Sequence, residues 1–256
     1  MDNYLLSANY YFLTSMLDRV ILSKLILVIL YCFIYSLDYI TSIVTNKLIL
    51  KYNEKKSINS IFIVKTNWFL LHAVCNFIMC SASVSDIITT FKNPSRSLDY
   101  TINYSMIPIF MSLSLHLYHI MNKKYKPSLN TEDYVHHILF AVGLGLLSLS
   151  VRWGPIQNLS VSVLTGLPGG LDYIMLVLVK LNIITKNTRK KYAILINNWL
   201  RAPGCVVISA WIYCSYITCI TAISISAVFI NILLTYINGM YYNKQIMESY
   251  FTQLVH

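Results

Sequence analysis

The sequence predicts an all-α integral membrane protein with about seven transmembrane helices. Hydrophobic residues make up 56% of the 256-residue chain and charged residues only 12%, whereas an ordinary soluble domain has about 25% charged residues. A surface that faces lipid needs no polar cover, so the bilayer is the natural solvent for this chain. The apolar residues also fall in long runs, and basic residues cluster in alternate loops between those runs.

Seven apolar runs follow one another along the chain, and each is long enough, at about 18 residues or more, to predict one span. They lie at residues 25–45, 68–89, 104–121, 134–151, 156–180, 192–212 and 216–240. The last two run together, so an arrangement with six spans is the alternative. Pro and Gly residues interrupt the fifth run at residues 166–170 and the sixth at residues 203–204. Such residues kink or unwind a membrane helix, which is tolerated where the helix lines a cavity.

The charges of the loops predict the orientation. The first, third and fifth loops are rich in lysine and arginine, while the alternate loops contain only Lys92, Arg96 and Arg152. The positive-inside rule therefore places the N-terminus in the lumen or outside and the C-terminus in the cytosol. It also accounts for the net charge of +10, so we expect no nucleic-acid partner. We divide the chain into an N-terminal extra-membrane segment (1–19), a membrane domain (20–245) and a short cytosolic tail (246–256).

Histidines are concentrated at the predicted cytosolic ends of the third and fourth spans. His116 and His119 are three residues apart and lie on one helix face, and Asp133 precedes His136 and His137 by three and four residues. The loop between these spans is short, so we expect adjacent antiparallel helices with the four histidines at one depth. An ionisable group at membrane depth costs a few kcal/mol, so each one is a functional hypothesis.

This pattern predicts acid–base chemistry. A histidine with a pKa of about 6.5 takes up and releases a proton at cellular pH, and a nearby carboxylate fixes its tautomer. Such a base would activate a hydroxyl or an amine for acyl transfer from a thioester. The alternative is that these side chains are interfacial and bond to loops or headgroups. The candidate catalytic residues are His136, His137, Asp133, His116, His119 and Asp172.

Two candidate binding residues lie at the interruptions of the spans. Asp172 and Tyr173 follow the interruption of the fifth run, and we predict that they face an internal cavity. The alternative there is a kink that serves close packing of helices. Arg201 precedes the interruption of the sixth run, where it is either a ligand for an anionic group or an interfacial anchor. We name Arg201 and Tyr173 as candidate residues for binding a co-substrate.

The histidines also raise the question of a metal, because His-x-x-His and His-His pairs can bind zinc or iron. Membrane di-iron desaturases use repeated His-x-x-His-His boxes, but the boxes here are incomplete and only five histidines precede the terminal His256. The sequence therefore predicts no bound metal and no other bound cofactor. His72, alone on its span, is more typical of packing.

One segment of the chain resembles a known family. Asp133-Tyr134-Val135-His136-His137 is similar to the D-x-x-H-H motif of TLC-domain proteins, which include ceramide synthases and translocon-associated membrane proteins. The order of features over residues 20–250 also fits, although the specific part is the His-His motif alone. Ceramide synthases have Thr three residues after the second histidine, where this chain has Phe140, and of their downstream acidic pair only Asp172 is a loose substitute. The chain thus looks like a divergent branch.

The resemblance implies a barrel of six helices around a cavity open to the cytosol, here with one extra helix. It further implies a location in the endoplasmic reticulum or another endomembrane, with membrane lipids and fatty acyl-CoA as partners. Acyl-CoA would be a co-substrate, and His136 and His137 would be the base and its helper. A homodimer is compatible with this interpretation.

Three classes of function remain open at this point. The first is a membrane acyltransferase or a related lipid-modifying enzyme, and the second is a non-enzymatic protein that binds lipid, senses lipid or handles cargo. A transporter or channel is less favoured, because there is no inverted repeat and the polar residues cluster at one end. The enzyme requires one cavity on which the candidate catalytic side chains converge.

Overall fold

A computed structural model of the chain describes residues 16–52, 59–99, 101–126, 129, 131–219, 221 and 223–255. The side chains of residues 16–22, 132–133, 140–142 and 253–255 are not described. Within the described residues the chain forms helices and turns, and none of these residues lies in a strand.

We number seven long helices in the described part of the chain. Four of them are α1 (Met16–Tyr52), α2 (Ser60–Lys92), α3 (Ile107–Met121) and α7 (Ile225–Val255). The other three each contain a π-helical segment. These are α4 (Thr131–His136, π segment His137–Gly143, Leu144–Ser150), α5 (Ile156–Val161, π segment Ser162–Gly166, Leu167–Lys180) and α6 (Lys186–Ile196, π segment Asn197–Arg201, Ala202–Thr218).

Five of these helices are long and apolar enough to cross a membrane, namely α1, α2, α5, α6 and α7. Helices α3 and α4 are also apolar but shorter, with apolar stretches at Ile107–Met121 and Tyr134–Ser150. The prediction of an all-α integral membrane protein is therefore confirmed at this level, while the count of seven spans stays a prediction. The predicted N-terminal segment lies largely outside the described residues, and α7 extends through most of the predicted tail.

The break between the last two helices lies later than the sequence predicts. Helix α6 continues to Thr218, beyond the predicted end of the sixth span, and its C-cap Cys219 is extended. Helix α7 begins after Ser224, whose side-chain oxygen accepts a hydrogen bond from the Ala227 backbone N–H at 3.3 Å. Residues 205–238 contain no Gly, Pro or charged residue, so the sequence has none of the usual signals for a helix end. Helices α6 and α7 are nevertheless separate, so the last two apolar runs do not form one continuous helix.

Helix α2 packs against α1, α3 and α5, and α6 packs against α7. Glycines allow the close contact of α5 with α2. A Cβ at Gly169 would lie 2.6 Å from Asn76 Nδ2, one at Gly166 would lie 2.7 Å from Cys80 Sγ, and one at Gly170 would lie 2.9 Å from the Phe77 ring. The glycines at residues 166–170 therefore serve close helix packing, the alternative that the sequence left open, and the backbone stays helical there.

A buried carboxylate on α1 ties together the first three helices. Asp38 is 6% exposed and accepts hydrogen bonds from the Tyr118 hydroxyl at 2.8 Å, the Lys124 ammonium at 2.9 Å, the Asn67 amide and the Tyr125 hydroxyl. These four donors come from α2, α3 and the segment that follows α3. A buried charge is tolerated only when it is paired and hydrogen-bonded in this way. We call these five residues the Asp38 network.

We expect Asp99→Asn to lower the thermal stability near neutral pH. The Asp99 side chain, in the loop after α2, accepts hydrogen bonds from the Thr101 backbone N–H at 2.9 Å and from Arg96 at 2.6 Å. Burial alone raises the pKa of this carboxyl, but the bonds from Thr101 and Arg96 outweigh burial and hold the pKa below its usual value. The asparagine variant loses the charge, and we expect its melting temperature in detergent to fall by about 2–4 °C at pH 7.

The pH dependence of that difference follows from the sign of the shift. A lowered pKa stabilises the fold above the unfolded value of about 3.9, and this stabilisation disappears as the pH falls through the lower folded value. Melting curves of Asp99→Asn and wild type should therefore converge as the pH falls below the unfolded value. A difference of the same size at every pH would contradict the assigned role of the charge.

Candidate functional site

Five histidines from three helices lie next to one another inside the helix bundle. His72 comes from α2, His116 and His119 from α3, and His136 and His137 from α4. The ring centroid of His116 lies 6.0 Å from that of His72, 5.5 Å from that of His136 and 5.1 Å from that of His137. The ring centroids of His119 and His137 are also 5.1 Å apart. We call this group the histidine cluster.

The four histidines that were predicted to converge do lie together in the structure. His72, which the sequence analysis assigned to packing, lies with them. Helical spacing places His116 and His119 one turn apart on α3. On α4 the π-helical segment begins at His137, directly after His136. The other two π segments lie close by: Leu164 and Thr165 line the adjacent cavity, and Arg201 contacts a neighbour of His136. π-helical segments occur frequently at functional sites.

Hydrogen bonds to the cluster define which ring nitrogens are engaged. His116 Nδ1 lies 2.6 Å from the Ser112 carbonyl oxygen. Because a carbonyl only accepts, Nδ1 must carry the proton, and the neutral ring then has its lone pair on Nε2. His119 Nδ1 lies 3.1 Å from His137 Nε2, and the Tyr242 hydroxyl hydrogen-bonds to His136 Nδ1. In each of His116, His136 and His137, one nitrogen is thus held by a neighbour.

Several ring nitrogens of the cluster have no such partner. His72 Nδ1, His119 Nε2 and His137 Nδ1 are buried, and none of them has a hydrogen-bond partner among the described residues. Leaving a buried polar group unsatisfied costs about 1–3 kcal/mol. A ligand or a water molecule that hydrogen-bonds to these nitrogens would remove this cost.

Aromatic rings hold the histidines in place. The Trp68 ring stacks on His119 with centroids 3.7 Å apart, and the Tyr173 ring stacks on His72 at 4.0 Å. The sequence predicted that Tyr173 faces an internal cavity; the structure places it at the edge of the cluster instead. Sequence reasoning gave no role to Trp68, because an aromatic residue in an apolar helix carries no signal of its own.

A cavity of about 60 Å³ adjoins the cluster, between α3, α4, α5 and α7. His116 and His136 line it, so these two imidazoles are the part of the cluster that faces the cavity. Along α7 its lining extends from Asn231 to Asn238, which corresponds to roughly 10 Å at the helical rise per residue. Binding sites for drug-sized ligands occupy about 300–1,000 Å³. As it stands, the cavity admits water or a slender group but not a complete acyl chain. Its polar lining residues include Ser148, Gln157, Thr165, Asn231, Thr235 and Asn238.

The two predicted acidic residues have different outcomes. Asp172 is not among the residues that line this cavity, so the structure does not support the prediction that it faces the cavity, and its part in catalysis stays a prediction. Its carboxylate forms a two-point ion pair with Arg189, with 2.9 Å between Asp172 Oδ1 and Arg189 Nε. The backbone of Asp133 lies in the first segment of α4, one turn before His136, but its side chain lies outside the described residues.

Arg201 lies beside the cluster, in the π-helical segment of α6. Its guanidinium carbon is 4.3 Å from the centre of the Tyr242 ring, and its Nε is buried without a hydrogen-bond partner among the described residues. The Tyr242 hydroxyl in turn contacts His136. A guanidinium in this position is suited to an anionic group next to the histidines.

The cluster also contains an arrangement that fits a metal ion. His116, His136 and His137 each offer one nitrogen, and these three atoms lie within 4.8 Å of one another. Neutral imidazole is a common ligand of zinc, copper, iron and nickel. We predicted no bound metal from the sequence because the spacing of the histidines along the chain does not form complete metal-binding boxes. In the structure, the three candidate ligands come from two different helices.

The resemblance to TLC-domain proteins stays a prediction, carried by the segment at residues 133–137. No protein-family model, no curated protein and no solved structure matches the chain.

Proposed function

We propose that the protein is a membrane enzyme that transfers an acyl group from a thioester, such as fatty acyl-CoA, to the amine or hydroxyl of a lipid. The observation that supports this most is the convergence of five histidines, four of them buried and His136 half-buried, beside a cavity whose mainly apolar lining includes several polar side chains. A neutral imidazole is the side chain best suited to take up and return a proton near neutral pH. Two of the five face the space in which a reacting group would lie.

His116 is the best-placed base of the cluster. The bond from its Nδ1–H to the Ser112 carbonyl leaves the Nε2 lone pair for a substrate proton. In the proposed reaction, Nε2 takes the proton of the lipid amine or hydroxyl as that group attacks the thioester carbonyl carbon. The new carbon–nitrogen or carbon–oxygen bond forms, the carbon–sulfur bond breaks, and the departing thiolate receives the proton.

His136 and His137 then have different roles from those that the family resemblance implies. His136 lines the cavity and is held by Tyr242, so it is placed to stabilise the leaving group or the attacking group. His137 hydrogen-bonds to His119 and supports the site from behind. Arg201, over the Tyr242 ring, would bind an anionic part of the co-substrate.

The finer features of the architecture belong to the same proposal. They are seven spans, a lumenal N-terminus, a cytosolic C-terminus, a location in the endoplasmic reticulum or another endomembrane, and a TLC-like barrel. Because the cavity holds only about 60 Å³, acyl-chain binding would require the helices around it to separate. That small volume favours, as a second candidate, a non-enzymatic protein that binds or senses a small part of a lipid.

A lipid profile of membranes tests the two candidates. Membranes would be compared that contain wild type, the His116→Gln/His136→Gln double variant or His72→Gln, at equal protein levels and equal thermal stability in detergent. His72→Gln is the matched control, because His72 belongs to the cluster but does not line the cavity. We expect the amount of one lipid class to change in membranes that contain wild type or His72→Gln. In membranes that contain the double variant, this change should be at least about 100-fold smaller. An unchanged profile with wild type, or the same change with all three proteins, would favour the non-enzymatic candidate.

A further inference from the structure

We infer that His116, His136 and His137 form a binding site for a divalent first-row transition metal ion, with zinc as the best-fitting example. The inference concerns the same side chains as the proposed function, but it rests on their geometry and not on any reaction. The three nitrogens already lie within 4.8 Å of one another. In a tetrahedral zinc site with zinc–nitrogen bonds of about 2.0–2.1 Å, ligand nitrogens are roughly 3.3 Å apart, so each would move by roughly 1 Å toward the centre.

In each of the three rings one nitrogen is engaged by a neighbour, and the metal would be bound through the other nitrogen. His116 Nδ1 is held by the Ser112 carbonyl, His136 Nδ1 by the Tyr242 hydroxyl and His137 Nε2 by His119. A histidine that binds a metal through one nitrogen almost always hydrogen-bonds through the other, which fixes the ring and its tautomer. All three rings therefore have the outer partner that a metal ligand needs before any ion is bound.

The free nitrogen of His137 gives a second reason. His137 Nδ1 is buried and has no hydrogen-bond partner among the described residues. Coordination of a metal would satisfy this atom, which otherwise costs stability. Burial of the cluster also keeps competing water away from the ion and strengthens its interaction with the rings.

Three imidazoles would leave one tetrahedral position open, and this position would be next to the cavity that His116 and His136 line. Sites with three protein ligands and an open position are typical of catalytic zinc, whereas structural zinc has four protein ligands. The open position would take a water molecule or a polar group of a substrate. An all-nitrogen ligand set favours zinc, cobalt, copper or nickel over magnesium or calcium, which prefer oxygen.

Metal binding and base catalysis compete for the same lone pair. If the proposed function is correct, zinc on His116 Nε2 removes the base, and the protein loses transferase activity when zinc is added. The two experiments measure different properties, cobalt binding and lipid composition, so either proposal can fail without the other.

Cobalt binding tests the site directly. The full-length protein would be purified in detergent with a tag free of histidine, treated with a chelator and titrated with Co²⁺, whose tetrahedral complexes absorb visible light. We expect about one Co²⁺ per chain, displacement by Zn²⁺, and an affinity at least 100-fold lower in His116→Gln and His137→Gln. His72→Gln and removal of His256 are the controls, and both should bind within about threefold of wild type.

The outcomes separate the two proposals. Absence of a cobalt band from the wild type, or equal loss of binding in His72→Gln, would overturn the metal site. Cobalt binding that depends on His116 and His137, without any lipid change in the membrane experiment, would keep the site and remove the transferase. A lipid change that is lost in the double variant, without cobalt binding, would do the reverse.

Discussion

Asp38→Ala is expected to be the most destabilising single substitution in the first three helices. Tyr118, Tyr125 and Asn67 donate hydrogen bonds to this carboxylate from buried positions. Asn67 Nδ2 also donates to the Tyr125 hydroxyl oxygen at 2.6 Å and keeps that partner, whereas the two tyrosine hydroxyls lose their acceptor. One unsatisfied buried group costs about 1–3 kcal/mol, so the total loss should be at least about 2 kcal/mol. Unfolding in a mixed-detergent titration with increasing sodium dodecyl sulfate would measure the change.

Lys124→Met is the matched control for this prediction. Lys124 forms the ion pair with Asp38, but its side chain is 34% exposed, so its ammonium can be solvated and its removal leaves the other three bonds intact. Partly exposed ion pairs contribute about 0–1 kcal/mol, and we expect a loss in that range. If Asp38→Ala were no less stable than Lys124→Met, the Asp38 network would not hold the helices together.

Asp38→Ala should also disturb the arrangement of the histidine cluster. Tyr125 packs against Trp68 with ring centroids 5.0 Å apart, and Trp68 stacks on His119. His119 in turn hydrogen-bonds to His137. The Asp38 network is therefore connected to one side of the cluster through a chain of direct contacts.

Hydrophobic patterning predicted the helices well because a membrane helix needs little beyond a long apolar run. Each of the seven runs corresponds to a helix in the described part of the chain. The π-helical segments were not predicted, since their residues, such as Val163 and Leu164, are as compatible with an α-helix. The end of α6 was misplaced for a related reason: β-branched and small apolar residues continue through the break, and only packing decides where the helix stops.

The site was predicted in part because helical periodicity indicates which residues of one helix share a face. It placed His116 with His119, and Asp133 with His136 and His137. Periodicity does not indicate which faces of different helices meet, so the inclusion of His72 required the packing of α2 against α3.

The ion pair of Asp172 was not predicted for the same reason, since its partner Arg189 is contributed by the following helix. After α5 the chain turns at Asn182, whose φ of +59° is left-handed, a conformation that asparagine adopts more readily than most residues. Helix α6 then begins at Lys186, and Arg189 comes to lie beside Asp172. The interruption at residues 166–170 indicated a cavity from sequence, but the ion pair formed across this turn was not visible in hydropathy.

Tyr242→Phe is expected to lower activity by about 10- to 100-fold while leaving the fold intact. The variant keeps the ring under Arg201 and removes only the hydroxyl that hydrogen-bonds to His136 Nδ1. Loss of an outer hydrogen bond to a functional histidine typically has an effect of this size on activity or on metal affinity. Because one hydrogen bond contributes only about 0.5–1.5 kcal/mol to stability, the melting temperature should fall by no more than about 6 °C.

The neighbouring residue gives the control for this experiment. Tyr241 is 39% exposed, and its hydroxyl bonds to Gln245 on the same helix, so Tyr241→Phe should match wild type in lipid product formation and in cobalt affinity. Comparison of product formation with melting temperature would separate orientation from packing, because loss of orientation lowers product formation alone, whereas a packing defect lowers both. Equal loss in both phenylalanine variants would mean that His136 is not oriented by Tyr242, and the acid–base role of the cavity-facing pair would then rest on His116 alone.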